Sequence, residues 1–99
     1  MKQEVLPRAI SSAIRELGEN LTTWRKLRQL TVQQLADRAG VSPSTISRLE
    51  SGRGANVENL VRVARALGIL DQMTPAFDPF STDVGRMRAH LALPQRVRN

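Results

Sequence analysis

The chain has 99 residues, no cysteine and a formal net charge of +6. This length allows one compact domain with flanking segments and excludes a multidomain enzyme with a deep cleft. Without cysteine, disulfides and thiolate metal sites are excluded and the fold must rely on packing, as is typical of a reducing compartment. No apolar run is long enough to span a membrane, and the first ten residues lack the apolar centre of a signal peptide. We therefore expect a cytoplasmic protein with no membrane partner.

The positive charge is concentrated in one stretch of the sequence. The first 20 residues are balanced, whereas positions 21 to 56 contain six cationic side chains and two anionic ones. The six cationic residues are Arg25, Lys26, Arg28, Arg38, Arg48 and Arg53. Such an excess indicates a polyanionic partner, with nucleic acid as the first choice and an acidic membrane surface as the second. On charge alone, a solvated basic face is the alternative.

Between glycine and proline residues, the apolar side chains recur at helical spacing and predict an all-α protein. A first helix begins near Pro7, which suits the first turn because its missing N–H would have no partner there. Its apolar stripe consists of Ile10, Ile14, Leu17, Leu21, Trp24 and Leu27. Glycine weakens a helix by about 1 kcal/mol relative to alanine, so a break at Gly18 is the alternative to one long helix.

A short second helix is predicted from Val32 to about Ala39. Thr31 and Gln34 before it have the spacing of a capping box, in which the two residues satisfy each other's free backbone N–H groups. Gly40 then ends the helix in the left-handed conformation that other residues resist. The residues that this helix buries are predicted to be Val32, Leu35 and Ala36.

A third and a fourth helix follow directly. Ser42 as N-cap and Pro43 in the first turn start the third helix, whose inward residues are Ile46 and Leu49, and Gly52 ends it. Asn56 caps the fourth helix and Gly68 ends it. The apolar positions predicted for the fourth helix are Val57, Leu60, Val61, Ala64 and Leu67.

The prolines after residue 69 predict only a short helical turn and an extended segment. Asp83 is a candidate cap for a short helix through Leu91, whereas Pro94 and the final RVRN indicate an extended or disordered terminus. The predicted organisation is an N-terminal helical extension (1–20), a central domain (21–69) and a C-terminal interaction segment with a basic tail (70–99).

Two short helices joined by a glycine-containing turn form a helix-turn-helix, and here they lie in the basic stretch. The run WRKLRQLTVQQLADRAGVSPSTISRLESGRGANVENLVRVARALGI resembles the helix-turn-helix domains of phage repressors of the Cro/C1 and Xre type. The resemblance covers residues 21–69. It implies an all-α, lambda-repressor-like DNA-binding domain of about five helices, usually dimeric, whose third helix enters the major groove of a double-stranded operator. It also implies a structural ion pair between Arg25 and Glu50.

The chain departs from this family at positions that contact DNA. Members often carry Gln at the first position of the second helix and of the third, where this chain has Val32 and Pro43. Neither residue can form a bidentate hydrogen bond with adenine. Base contacts are therefore predicted at Ser44, Thr45, Ser47 and Arg48. For Arg48, a guanine contact, a phosphate contact and a solvated surface position all remain open.

Phosphate contacts are predicted at helix N-termini, where free N–H groups and partial positive charge attract anions, and at neighbouring arginines. The predicted residues are Arg28, Thr31, Gln33, Arg53 and Asn56. Lys26 and Arg38 are interpreted as solvated, and Trp24 as a core residue rather than a base-stacking one.

The sequence does not combine the residue types that catalysis requires. The single histidine, His90, has no second histidine and no cysteine as a possible partner. The SGRG run lacks the Lys-Ser/Thr pair of a phosphate-binding loop. We therefore expect no enzyme, no metal and no cofactor.

The segments on either side of the central domain predict protein contacts. The segment LGILDQMTPAFDPFSTDVGRMRAHLALPQRVR resembles the C-terminal region of HipB-like antitoxins, which are Xre-type repressors encoded beside a HipA-like kinase toxin. This resemblance implies a repressor that controls its own operon as a homodimer on a palindromic operator and binds the toxin or its split components. A solitary phage-type or chromosomal Xre regulator is one alternative, and a protein-interaction adaptor with little base specificity is another.

Overall fold

The computed structural model describes residues 5–92, which form helices joined by tight turns and contain no β-strand. The predicted all-α fold class is therefore confirmed. The chain forms two compact units, one up to Ile69 and one from Leu70 onward. Within the described range, the first unit contains the helices α1 (Arg8–Leu27), α2 (Val32–Ala39), α3 (Pro43–Glu50) and α4 (Val57–Leu67).

Helix α1 runs for 20 residues without interruption, so the alternative of a break at Gly18 is wrong. Gly18 is buried against the C-terminal end of α3. A Cβ atom at this position would lie 2.8 Å from the carbonyl oxygen of Glu50 and even closer to that of Leu49. The glycine thus allows close packing of two helices. The helix also continues past position 20, where the N-terminal extension was predicted to end.

Local hydrogen bonds fix the ends of α2 and the start of α3, as the sequence predicts. Thr31 Oγ1 accepts from the Gln34 N–H at 3.0 Å, and Gln34 Oε1 accepts from the Thr31 N–H at 2.9 Å. Gly40 ends α2 in the left-handed conformation, with φ at +72°. Ser42 Oγ then accepts from the Thr45 N–H at 3.1 Å and caps α3.

An apolar core joins the four helices. Its buried cluster consists of Leu21, Leu30, Leu35, Ala36, Ala39, Ile46, Leu49, Val63 and Leu67. The apolar set predicted for α4 was partly wrong, because Val57 is 75% exposed whereas Val63, which that set omits, is 1% exposed. The buried residues of α4 all lie in its C-terminal half, so Val57 in the first turn falls outside the packed part of the helix.

An ion pair connects α1 to the end of α3. Arg25 donates from Nε to Glu50 Oε2 at 2.8 Å and from Nη2 to Oε1 at 3.1 Å, while its Nη1 donates to the Leu30 carbonyl oxygen at 2.9 Å. The side chains of Arg25 and Glu50 are only 13% and 12% exposed. The hydrogen bond to Glu50 raises the pKa of Arg25 although burial lowers it, so Arg25 stays charged. Loss of one partner would leave the other charge unpaired in a half-buried site, which destabilises the fold.

The second unit is a series of short helical turns instead of the predicted extended segment. It contains α5 (Leu70–Met73), the 3₁₀ turns Pro75–Phe77 and Pro79–Ser81, α6 (Asp83–Met87) and α7 (Ala89–Ala92). The two prolines start turns because each stands in a first turn, where its missing N–H costs nothing.

The cap of α6 differs from the predicted one. Thr82, rather than Asp83, caps the helix, with its Oγ1 accepting from the Gly85 N–H at 3.0 Å. Asp83 is the first helical residue and pairs with Arg86. The expectation of an extended or disordered end after Pro94 lies outside the described residues.

We expect Gly18→Ala to lower the free energy of unfolding by about 1–3 kcal/mol, because the added methyl group meets backbone carbonyl oxygens of α3. In an isolated helix the same change stabilises the helix by about 0.5–1 kcal/mol. A decrease in the free energy of unfolding therefore shows that position 18 is in close contact with α3. Urea denaturation followed by circular dichroism measures the change. Ser12→Ala, at an exposed position of α1, is the matched control and should be neutral or slightly stabilising. A Gly18→Ala variant more stable than the wild type would contradict the close packing of α1 on α3.

Candidate nucleic-acid interface

Helix α3 buries one face and exposes the other. Ile46 and Leu49, which are 1% and 4% exposed, fix the helix on the core. The predicted base-contacting residues are the exposed Ser44, Ser47 and Arg48 and the half-buried Thr45. A helix held by one apolar face presents the opposite face in a fixed orientation, which insertion into a major groove requires.

The hydroxyl groups at the start of α3 form a small cluster. Ser42 Oγ lies 3.0 Å from Ser44 Oγ and 2.9 Å from Thr45 Oγ1, and it also accepts the Thr45 N–H. A hydroxyl group has one donor and two acceptor positions. Ser44 and Thr45 can therefore keep these contacts and still bond to one further group, such as a base edge.

A cleft of about 380 Å³ opens between α3 and the start of α4. Its lining residues are Thr45, Arg48, Arg53, Gly54, Ala55, Asn56 and Asn59. Two guanidinium groups thus adjoin the N-terminus of α4, where the first backbone N–H groups have no intrahelical partners and the helix dipole is positive. The cleft is suited to an anion, and a DNA phosphate is the anion that adjoins a groove-binding helix.

The polar side chains of this cleft have local partners that a ligand can replace. Arg53 Nε donates to Ser51 Oγ at 3.1 Å, and Arg48 Nη2 approaches the Arg53 carbonyl oxygen at 3.4 Å. The second contact is long and therefore weak. Asn56 Oδ1 accepts from the Asn59 N–H at 2.7 Å, and the Asn56 side-chain amide still has two N–H donors.

Asn59 is the one polar side chain lining this cleft that the sequence analysis omitted. It is the third residue of α4 and half-buried. Its side-chain amide has both donor and acceptor groups for a ligand in the cleft. Its place beside Asn56 could have been predicted from the sequence, because the residue three positions after an N-cap lies next to that cap in the first turn of the helix.

The N-terminus of α2 carries two further predicted phosphate contacts, Thr31 and Gln33, and both are exposed. Thr31 Oγ1 accepts within the capping box, which leaves its hydroxyl hydrogen able to donate. Gln33 Nε2 donates one N–H to Asp37 Oδ1 at 3.0 Å, so its second N–H can still donate to a phosphate, although the neighbouring carboxylate repels an anion. Neither residue lines the cleft.

Arg28, a further predicted phosphate contact at the end of α1, bonds within the first unit. Its Nε donates to the Leu67 carbonyl oxygen at 3.0 Å, and its guanidinium carbon lies 5.3 Å from the centre of the Trp24 ring. A cation is stabilised both at the carbonyl end of a helix and over an aromatic face. Arg28 therefore joins α1 to the end of α4 and does not line the cleft, and its phosphate contact stays a prediction. Trp24 is half-buried and packs against the core.

The described part of the chain contains neither a metal-binding cluster nor a membrane-spanning helix. Within residues 5–92, no group of three His, Asp or Glu side chains is arranged to hold a metal ion. His90 is an exposed residue of α7. None of the described helices is long and apolar enough to cross a membrane.

A comparison with protein-family models matches residues 21–70, half of the chain, to the helix-turn-helix family HTH_3. The matched range contains α2, α3, the cleft and α4. No curated protein and no solved structure matches the chain significantly. HTH_3 is a DNA-binding regulatory family and not an enzyme family. The chain therefore belongs to this helix-turn-helix family of DNA-binding transcriptional regulators.

Proposed function

We propose that the protein is a sequence-specific transcriptional repressor that inserts α3 into the major groove of a palindromic operator as a homodimer. The observation that carries this proposal is the cleft, which contains four of the predicted DNA contacts, Thr45, Arg48, Arg53 and Asn56. A helix in the groove supplies base contacts, and a neighbouring helix N-terminus that binds an anion supplies phosphate contacts. The phosphate contacts fix the register of the protein on the DNA. In the dimer, the two α3 helices lie one DNA turn apart, about 34 Å.

Few base contacts are available from α3 itself. Ser44 and Ser47 have short side chains, and Thr45 can place its methyl group against that of thymine. Arg48 is the one predicted base contact that can make a bidentate pair, and its match is guanine. Half-site spacing and DNA shape therefore contribute to specificity together with the base contacts.

We further infer that this repressor is the antitoxin of a HipA-like kinase toxin. The second unit supports a protein partner, because none of residues 70–91 is buried and Phe77 and Met87 are 81% and 76% exposed. Ordered turns that expose large apolar side chains are suited to a protein contact. Co-expression with the product of a neighbouring kinase-like reading frame tests this role, and a complex that Met87→Glu weakens is expected. Without such a complex, the solitary Xre regulator becomes the better description.

Arg48→Ala is expected to weaken operator binding by about 1–3 kcal/mol and to leave the affinity for random DNA nearly unchanged, because a bidentate base contact carries sequence information. Fluorescence anisotropy with DNA from upstream of the gene, at one fixed salt concentration, measures both affinities. Arg38→Ala, at an exposed position near the end of α2, is the matched control. Equal losses on both DNAs would assign Arg48 to a phosphate. A wild-type protein without any sequence preference would favour the adaptor alternative.

Arg53→Ala is expected to make the negative slope of log K, the DNA association constant, against log salt concentration shallower by about one unit, because one phosphate contact is lost. Arg28→Ala is the matched control, since it removes the same side chain outside the cleft. It should reduce thermal stability through the lost bond to Leu67 and leave the slope unchanged. A slope altered by Arg28→Ala and not by Arg53→Ala would reverse these two assignments.

A further inference from the structure

Helix α1 has two neighbouring apolar faces, and one of them is left largely exposed. Gly18 and Leu21 are buried on the first face. On the second face, Ile10, Leu17 and Leu27 are 48%, 38% and 68% exposed. The single stripe predicted from the sequence is thus divided between the core and a free surface.

The free face follows a regular repeat along the whole helix. We call it the α1 seam, and its positions are Ile10, Ala13, Leu17, Asn20, Trp24 and Leu27. Alternating steps of three and four residues keep side chains on one line and are typical of a coiled-coil contact. None of the six residues is charged. Trp24 is half-buried, because it packs against the core and lies next to the Arg28 guanidinium group, and the other five are exposed.

The seam is complementary to itself when the direction of the second helix is reversed. Its spacing, 3-4-3-4-3, is the same from both ends, so each position of one copy faces a position of the other. The facing pairs are Ile10 with Leu27, Ala13 with Trp24, and Leu17 with Asn20. The smallest side chain then faces the largest, as interdigitating packing requires. A parallel pair would instead press two Trp24 rings together.

We propose that a second copy of this chain docks antiparallel on the α1 seam and so forms the homodimer. The proposal gives the dimer of the proposed function its surface, and dimerisation through it does not require operator DNA. A seam about 27 Å long on a helix about 10 Å wide buries roughly 500 Å² over two copies, which is at the lower end even for a weak interface. The dimer is therefore expected to be weak in solution and to be strengthened when two copies occupy adjacent half-sites.

Other partners need features that the seam lacks. A nucleic acid requires cationic side chains, and a charged partner protein requires opposite charges along the contact, whereas the seam is uncharged. When one copy is reversed, the seam matches itself in spacing and in side-chain size. This is the property of an isologous surface, in which residue i of one copy contacts residue j of the other and residue j contacts residue i. Asn20 is the single polar position, and one such residue in a seam specifies register at a cost in stability.

Sedimentation velocity on the full chain without DNA tests the surface. The wild type should show a concentration-dependent monomer–dimer equilibrium, and Leu17→Glu and Leu27→Glu should each raise its dissociation constant roughly ten-fold or more. Leu27 is the more exposed of the two, so its variant keeps the test valid if Leu17→Glu unfolds. Val84→Glu, at a position of the second unit that is 67% exposed, is the control and should leave the equilibrium unchanged. A wild-type monomer at all concentrations, or a dimer lost only with Val84→Glu, would overturn the proposal.

Cysteine cross-linking tests the orientation, because the natural chain contains no cysteine. A mixture of Ile10→Cys chains and Leu27→Cys chains should form disulfide-linked dimers that neither variant forms alone. Self-linking of Ile10→Cys would show a parallel pair and overturn the antiparallel arrangement.

Operator binding by the same samples separates the two proposals. Specific binding by a monomer overturns only the seam, whereas a dimer without sequence preference overturns only the proposed function.

Discussion

The close approach of α1 to α3 is the constraint on which the candidate interface depends. Gly18 allows the two backbones to approach, and the ion pair between Arg25 and Glu50 holds them together beside that point. Both contacts lie at the C-terminal end of α3, so the N-terminal turn remains exposed for DNA. Because α3 is held at one end and capped by Ser42 at the other, little conformational freedom is left for DNA binding to remove.

The arginines of the first unit show that net charge alone does not identify a DNA contact. Arg25 forms a half-buried ion pair, and Arg28 lies between an aromatic ring and the carbonyl end of α4. Arg48 and Arg53 line the cleft beside the N-terminus of the same helix. One residue type therefore stabilises the fold in two places and offers positive charge to a ligand in two others. The partner of each guanidinium group decides between these roles.

The two apolar faces of α1 connect the fold to the proposed function. One face contributes Leu21 to the core and so supports α3, whereas the other is largely exposed. The predicted base contacts are Arg48 and three small hydroxyl side chains, including Thr45, and in the dimer that we propose they gain specificity because two copies must fit two half-sites at a fixed spacing. The α1 seam that we propose as the dimer surface is part of the same rigid helix that holds α3, so the dimer would fix that spacing.

The sequence by itself determined the boundaries of α2, α3 and α4 and the helix-turn-helix pattern, because caps such as those at Thr31 and Ser42 are contacts between residues only three positions apart. It also indicated most of the cleft, since the cleft is built from the end of α3 and the cap that follows. Only the tertiary structure decided which groups Arg28 contacts, why a side chain does not fit at Gly18 and that Val63 is buried. Arg28 bonds to a carbonyl 39 positions away, and Gly18 faces the far end of α3. Such contacts leave no periodic signal in the chain, because they depend on how whole helices pack.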